Sequence, residues 1–129
     1  MPVWWVDTSA VAKLVEAEPE TPALVAWLTG RHWVISDLHR TELLRAAQRL
    51  GSGAVARSQR LLSELELLTL TGAEFDAAGL MPLTQLRSSD ALHLAAAQAL
   101  GRDLAGIVAY DRRLLDAAES AGVAVASPS

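Results

Sequence analysis

The chain of 129 residues contains no cysteine. Disulfides, thiolate nucleophiles and any metal held by sulfur are thereby excluded, and the usage fits a reducing compartment. No stretch is long and apolar enough to cross a bilayer, so no membrane span is expected. The N-terminus lacks a basic region followed by an apolar run, which leads to the expectation of a cytoplasmic protein. Lysine is almost missing: Lys13 stands alone among 11 basic residues, the rest being arginine. With 15 acidic residues the net charge is −4, which argues against binding nucleic acid through bulk positive charge. Arginine nevertheless holds phosphate through two parallel hydrogen bonds, so local phosphate sites remain open. No glycine-rich loop follows the first apolar run, which excludes dinucleotide binding of the usual kind. No GxSxG elbow is present for a Ser-His-Asp hydrolase.

What is present is a foldable core. Apolar residues make up 51% of the chain, which is long enough for one domain, taken as 1–129. Short apolar runs alternate with helical stretches. Val3 to Val6 (VWWV) reads as a strand ending at Asp7, and Thr8 or Ser9 is placed to cap the helix beginning Ala10 to Leu14. A second helical piece covers Thr21 to Leu28 and stops at Gly30. Val34-Ile35 makes a very short strand, and Ser36 or Asp37 caps a long helix from Leu38 to Leu50. After Gly51-Ser52-Gly53 come a helix Ala54 to Leu65, a strand Glu66 to Leu70 and a helix Ala73 to Met81, followed by a connector over 83–87. Ser88 to Leu100 is the clearest helix, with a serine start, an acid in the first turn, an alanine-rich body and Gly101 as stop. Ala105 to Tyr110 is a strand ending at Asp111, which opens another helix; Val123 to Val125 is a last strand. This alternation predicts an α/β fold with a mostly parallel sheet covered on both faces.

Four acids stand out against that fold. Asp7 and Asp111 each follow an apolar strand, while Glu42 and Asp90 lie in the first turns of helices. Strand C-termini and helix N-termini meet at one edge of a parallel sheet, so all four carboxylates are expected near one crevice. Like charges there repel, and a divalent cation removes that cost. Oxygen-only ligands favour Mg²⁺ or Mn²⁺, one or two per site, over zinc. The chemistry so supported is hydrolysis at phosphorus by a metal-activated water. Each acid also has an ordinary alternative: Asp7 and Asp111 as strand ends or caps, Asp90 as a helix-dipole partner, Glu42 as an ion-pair partner of Arg45.

At these residues the sequence resembles the PIN-domain ribonucleases, and more narrowly the VapC toxins of bacterial toxin–antitoxin pairs. The resemblance is carried by Val6-Asp7-Thr8-Ser9-Ala10 with Lys13, by Thr41-Glu42-Leu43-Leu44-Arg45, by Arg87-Ser88-Ser89-Asp90-Ala91-Leu92-His93-Leu94-Ala95, and by Ala109-Tyr110-Asp111-Arg112-Arg113-Leu114. It implies a compact α/β/α sandwich with a sheet of about five short strands. It also implies a catalytic set of Asp7, Glu42, Asp90 and Asp111 around Mg²⁺ or Mn²⁺, with a hydroxyl at Ser9 or Thr8 assisting. RNA is the implied substrate, a cognate antitoxin the implied partner, a homodimer the implied assembly and inhibition of translation the implied outcome.

Lesser candidates surround this set. Lys13, Arg87, Arg112 and Arg113 are possible phosphate contacts, each with a solvated or ion-paired alternative. His93, three residues after Asp90, reads as a polar residue satisfied within helix packing, with metal ligation as the alternative. The segment Asp37 to Arg40 departs from the family pattern, a hint of substrate or partner contacts. Trp4 and Trp5 alternate in a strand, so at least one faces a core; Trp27 and Trp33 are divided between core and interface. Two rival readings stand beside the nuclease. One is a non-catalytic RNA- or protein-binding module on the same fold. The other is a Mg²⁺-dependent phosphatase with a strand-end Asp nucleophile, disfavoured because Ser9 occupies the place of its second Asp.

Overall fold

A computed structural model describes residues 1–82 and 86–129. Five strands form one sheet, β1 (Val3–Val6), β2 (Trp33–Ser36), β3 (Leu67–Leu68), β4 (Leu104–Val108) and β5 (Val125–Ala126), in the order β3-β2-β1-β4-β5. Every neighbouring pair is parallel. Seven helices are seen among the described residues: α1 (Thr8–Val15), α2 (Thr21–Leu28), α3 (Leu38–Ala47), α4 (Ala54–Glu64), α5 (Gly72–Gly79), α6 (Ser88–Gln98) and α7 (Arg112–Ser120). The α/β expectation with a parallel sheet holds, and the connector expected over 83–87 lies partly outside the described residues.

The sheet is buried on both faces because its strands alternate between two cores. Val6, Ile35 and Val108 pack with α1 to α4, while Val3, Trp5, Val34 and Ile107 pack with α6 and α7. This period of two sends adjacent residues to opposite layers. Trp5 is fully buried, and Trp4 on the other face meets Trp27 edge-on with ring centroids 4.6 Å apart. The alanine-rich body of α6 lies buried at Ala91 and Ala95 to Ala97, where small side chains permit close packing.

Strand order reverses between β1 and β4. Such a switch point opens a crevice at the C-terminal edge of a parallel sheet. The two strands are tied there by the Asp7 N–H donating to the Val108 carbonyl at 2.8 Å.

Several boundaries differ from expectation. The long helix stops at Ala47 rather than Leu50, because Arg49 and Leu50 tighten into bonds to Ala46 and Ala47. The third strand shrinks to Leu67–Leu68, since only Ile35 and Ser36 pair with it at the sheet edge. The last strand shifts to Val125–Ala126, because Gly122 turns the chain with φ +78° before pairing begins. Capping also differs. Asp7, not Thr8 or Ser9, caps α1 by accepting the Ser9 N–H, while α6 begins at Ser88 as expected.

Candidate active site

Asp7 leaves β1 at the switch point and is almost fully buried. Its Oδ2 accepts the Ser9 N–H at 3.1 Å and the Ser9 hydroxyl at 2.5 Å. The Ser9 oxygen in turn accepts the Tyr110 N–H at 3.0 Å, so one serine joins the ends of β1 and β4. Across the crevice Asp111 caps α7, its Oδ1 accepting the Arg113 N–H at 2.9 Å. The capping reading of both aspartates is therefore correct as local structure. It uses Oδ2 of Asp7 and Oδ1 of Asp111, and a carboxylate has further lone pairs to offer.

Glu42 comes from the second turn of α3 and is not paired with Arg45. Its Oε1 accepts the Thr8 hydroxyl at 2.8 Å and lies 2.6 Å from His93 Nε2. The same nitrogen stands 3.4 Å from Asp7 Oδ1. Burial opposes ionisation of Glu42, but the bond to His93, its field and the Thr8 hydroxyl outweigh it and hold the carboxyl below its usual range. Burial likewise opposes a charge on His93, and the bond to Glu42 with the fields of Asp7, Glu42 and Asp90 outweighs it, raising its pKa.

Two further residues stand behind this pair that sequence reasoning did not place in the site. Trp5 donates its indole N–H to His93 Nδ1 at 3.1 Å. His39 is fully buried, accepting the Ser36 N–H at Nδ1 (3.0 Å) and meeting the Val6 carbonyl at Nε2 (2.6 Å). The rings of His39 and His93 lie edge-to-face with centroids 4.9 Å apart. Burial first, and then the neighbouring His93, push the His39 pKa down to about 4. His39 thus points inward and braces the strand that delivers Asp7, which gives its unusual segment a structural role. Its spacing from Ser36 is visible in the sequence; the 88-residue separation of Trp5 from His93 offers no local signal.

Asp90 lies at the start of α6 and is 7% exposed. Burial, then repulsion from Asp111, push its carboxyl up; a hydrogen bond to the Arg87 main chain pulls the other way, and repulsion from Asp7 adds to the rise. Asp90 therefore lies within the electrostatic reach of both Asp111 and Asp7. Among the described residues no Lys or Arg forms an ion pair with any of the four acids. No group of three or more Asp, Glu, His or Cys side chains among those residues already converges as a set of metal ligands. The residues nonetheless fit a hard divalent cation in donor chemistry: oxygen donors, no thiolate and a local excess of negative charge.

The remaining candidates lie elsewhere. Lys13 is buried, its ammonium bonded to Glu18 at 2.6 Å and Glu20 at 3.1 Å and lying 4.7 Å from the Tyr110 ring centroid. Arg112 pairs loosely with Asp116 at 3.4 Å on the surface. Arg113 lines a mostly apolar cavity of about 620 Å³ with Met81, Leu86, Leu94 and Ala117, which includes none of the four acids. Arg87 is exposed at the head of α6. Trp27 and Trp33 are half-buried against the first core, and the Arg31 guanidinium covers Trp27 at 4.1 Å.

Known proteins share this fold and much of this sequence. The PIN domain model matches residues 5–120. The chain is 44% identical over 127 residues to Ribonuclease VapC46 of Mycobacterium tuberculosis, covering 97% of each. It is 42% identical to Ribonuclease VapC47 and 36% identical to Ribonuclease VapC35 of the same organism, covering 96% of each chain in both cases. The crystal structure of M. tuberculosis VapC20, described as a sarcin-ricin loop cleaving toxin, superposes with a TM-score of 0.76 at 18% identity, over 97% of this chain and 99% of that one. That likeness concerns the fold. By sequence across nearly its whole length, the chain belongs to the PIN-domain family and stands among its VapC ribonucleases.

Proposed function

We propose that the protein is a metal-dependent endoribonuclease and the toxin of a toxin–antitoxin pair. What supports this reading is that Asp7, Glu42, Asp90 and Asp111 lie toward the switch-point edge, that Asp90 feels the charges of Asp111 and Asp7, and that among the described residues no Lys or Arg is paired with any of the four. Kinship with proteins named VapC ribonucleases selects RNA among phosphodiesters.

Asp7, Asp90 and Asp111, with Glu42, would hold Mg²⁺ or Mn²⁺, one or two ions per site. When bound, such a cation supplies Lewis acidity toward phosphate oxygens and toward water. The chain's own residues supply the positioning. Ser9 fixes the rotation of Asp7 through Oδ2, and Thr8 fixes Glu42 through Oε1. The same Ser9 bond disfavours Asp7 as a phosphatase nucleophile, since the oxygen is held within its own cap. Arg87, Arg112 and Arg113 remain candidates for the RNA backbone, being exposed near the heads of α6 and α7. Lys13 is a weaker candidate than its position suggested, because its ammonium is already bonded twice.

The implied partner is a separate antitoxin chain. A homodimer in the cytoplasm completes the reading. Exposed Phe75 and Leu80, on and beside a helix that buries none of its residues, are consistent with a partner surface.

The test is cleavage of total cellular RNA by antitoxin-free protein with Mg²⁺, with Mn²⁺ and with EDTA, alongside Asp7→Asn and Asp90→Asn. Discrete fragments are expected that require metal and vanish in both variants. A folded, metal-loaded protein that cuts no RNA supports the binding-module alternative. Cleavage surviving both substitutions means the site is wrongly assigned.

A further inference from the structure

We propose that His93 is a positioning residue for Glu42, held in one tautomer by the indole of Trp5, so that Glu42 meets a cation in a fixed orientation. The inference rests on the metal-site reading above. His93 is 1% exposed and lies behind the carboxylates, so it does not reach RNA. Both its ring nitrogens are engaged. The Trp5 indole nitrogen can only donate, so His93 Nδ1 must accept, and the proton of the neutral ring resides on Nε2. That N–H donates to Glu42 Oε1 at 2.6 Å and faces Asp7 Oδ1 at 3.4 Å.

The consequence concerns the two oxygens of Glu42. Thr8 and His93 both converge on Oε1, while Oε2 accepts from no protein donor among the described residues. Two donors on one oxygen prevent the carboxylate from rotating and leave Oε2 free for a cation. The opposite tautomer would present a lone pair to Oε1 and drive Glu42 away. Trp5 thus acts at a distance of two hydrogen bonds. It is anchored by β1, the same strand that delivers Asp7, so one strand sets the orientation of two of the four acids. Partners that orient a ligand in this way typically change metal affinity when removed.

The experiment is a calorimetric titration of RNA-free protein with Mn²⁺, backed by far-UV circular dichroism for folding and by the Mn²⁺ concentration giving half-maximal cleavage. Three variants are compared with the wild type. His93→Leu removes the donor at similar bulk. His93→Gln keeps an N–H at about the reach of Nε2. Trp5→Phe keeps an aromatic ring and removes the indole N–H that selects the tautomer, together with part of the ring's bulk. The expected result is Mn²⁺ binding weakened by about 10- to 100-fold in His93→Leu, largely restored in His93→Gln and intermediate in Trp5→Phe. Wild-type Mn²⁺ affinity in folded His93→Leu overturns the positioning role alone. So does His93→Gln binding no better than His93→Leu, because ring packing would then be the cause. Should His93→Leu fail to fold, wild-type affinity in Trp5→Phe overturns the tautomer selection. A wild type that binds no Mn²⁺ overturns the metal-site reading and this role with it.

Discussion

His39 and His93 are neighbours with opposite tendencies, and the difference follows from what each one faces. His93 faces carboxylates, which favour its charged form against the effect of burial. His39 faces a backbone carbonyl, a backbone N–H and His93 itself, and burial holds its pKa near 4. The unfolded chain takes up a proton at this residue near pH 6.5, whereas the folded protein resists until about pH 4. The stability conferred by a neutral His39 is therefore complete above pH 6.5 and is lost as the pH falls toward 4. The loss amounts to about 3 kcal/mol at its limit. Urea denaturation between pH 7 and pH 4 should show the decline, and His39→Gln should flatten that part of the curve. Ser9 shows the same economy of contact: one hydroxyl donates to Asp7 and accepts from Tyr110, so a residue beside the site also joins two strands.

At the scale of elements, Asp7 and Asp111 serve as helix caps and are also proposed as site carboxylates, and the two roles can be separated. Asp111 caps α7 through Oδ1. Asn caps as well as Asp does but carries no charge. Asp111→Asn should keep the melting temperature and lose RNA cleavage, whereas Asp111→Ala should lose cleavage and about 1 kcal/mol of stability as well. Thermal melts beside a cleavage assay distinguish these outcomes; an active Asp111→Asn would reduce this residue to a cap. Strand β4 makes a different demand. A Cβ on Gly106 would lie 2.5 Å from the Trp4 ring and 2.6 Å from the Ala124 carbonyl oxygen. One of those contacts is backbone and cannot swing aside, so Gly106→Ala should destabilise the protein by about 1–3 kcal/mol in a denaturant titration.

For the whole molecule, the feature on which the proposed function turns is the set of acids lying toward the edge where two halves of the sheet diverge. Burial first, and then repulsion from Asp111 and Asp7, raise the pKa of Asp90, so its negative charge works against the fold. Asp90→Asn should therefore melt at a higher temperature than wild type in EDTA, by a few degrees, while cleaving no RNA. Mn²⁺ should raise the melting temperature of wild type by mass action and leave that of Asp90→Asn nearly unchanged. A wild-type melt indifferent to Mn²⁺ would count against a cation at this edge.

The sequence by itself determined the alternation of short apolar strands with helices. It also determined where four acids lie along the elements, two at strand ends and two early in helices, and hence the sheet edge toward which they lie. These are local facts: period-two burial in VWWV, a glycine after a helix, a carboxylate after a strand. It did not determine where short edge strands begin, since Leu67–Leu68 and Val125–Ala126 exist only where a neighbour offers hydrogen bonds. Nor did it assign Lys13 to Glu18 and Glu20, or His93 to Glu42 and Trp5. Those contacts join different elements, and a side chain's partner across a fold depends on helix rotation and layer spacing. Local propensity and spacing carry no information about either; only the packed tertiary structure decides them.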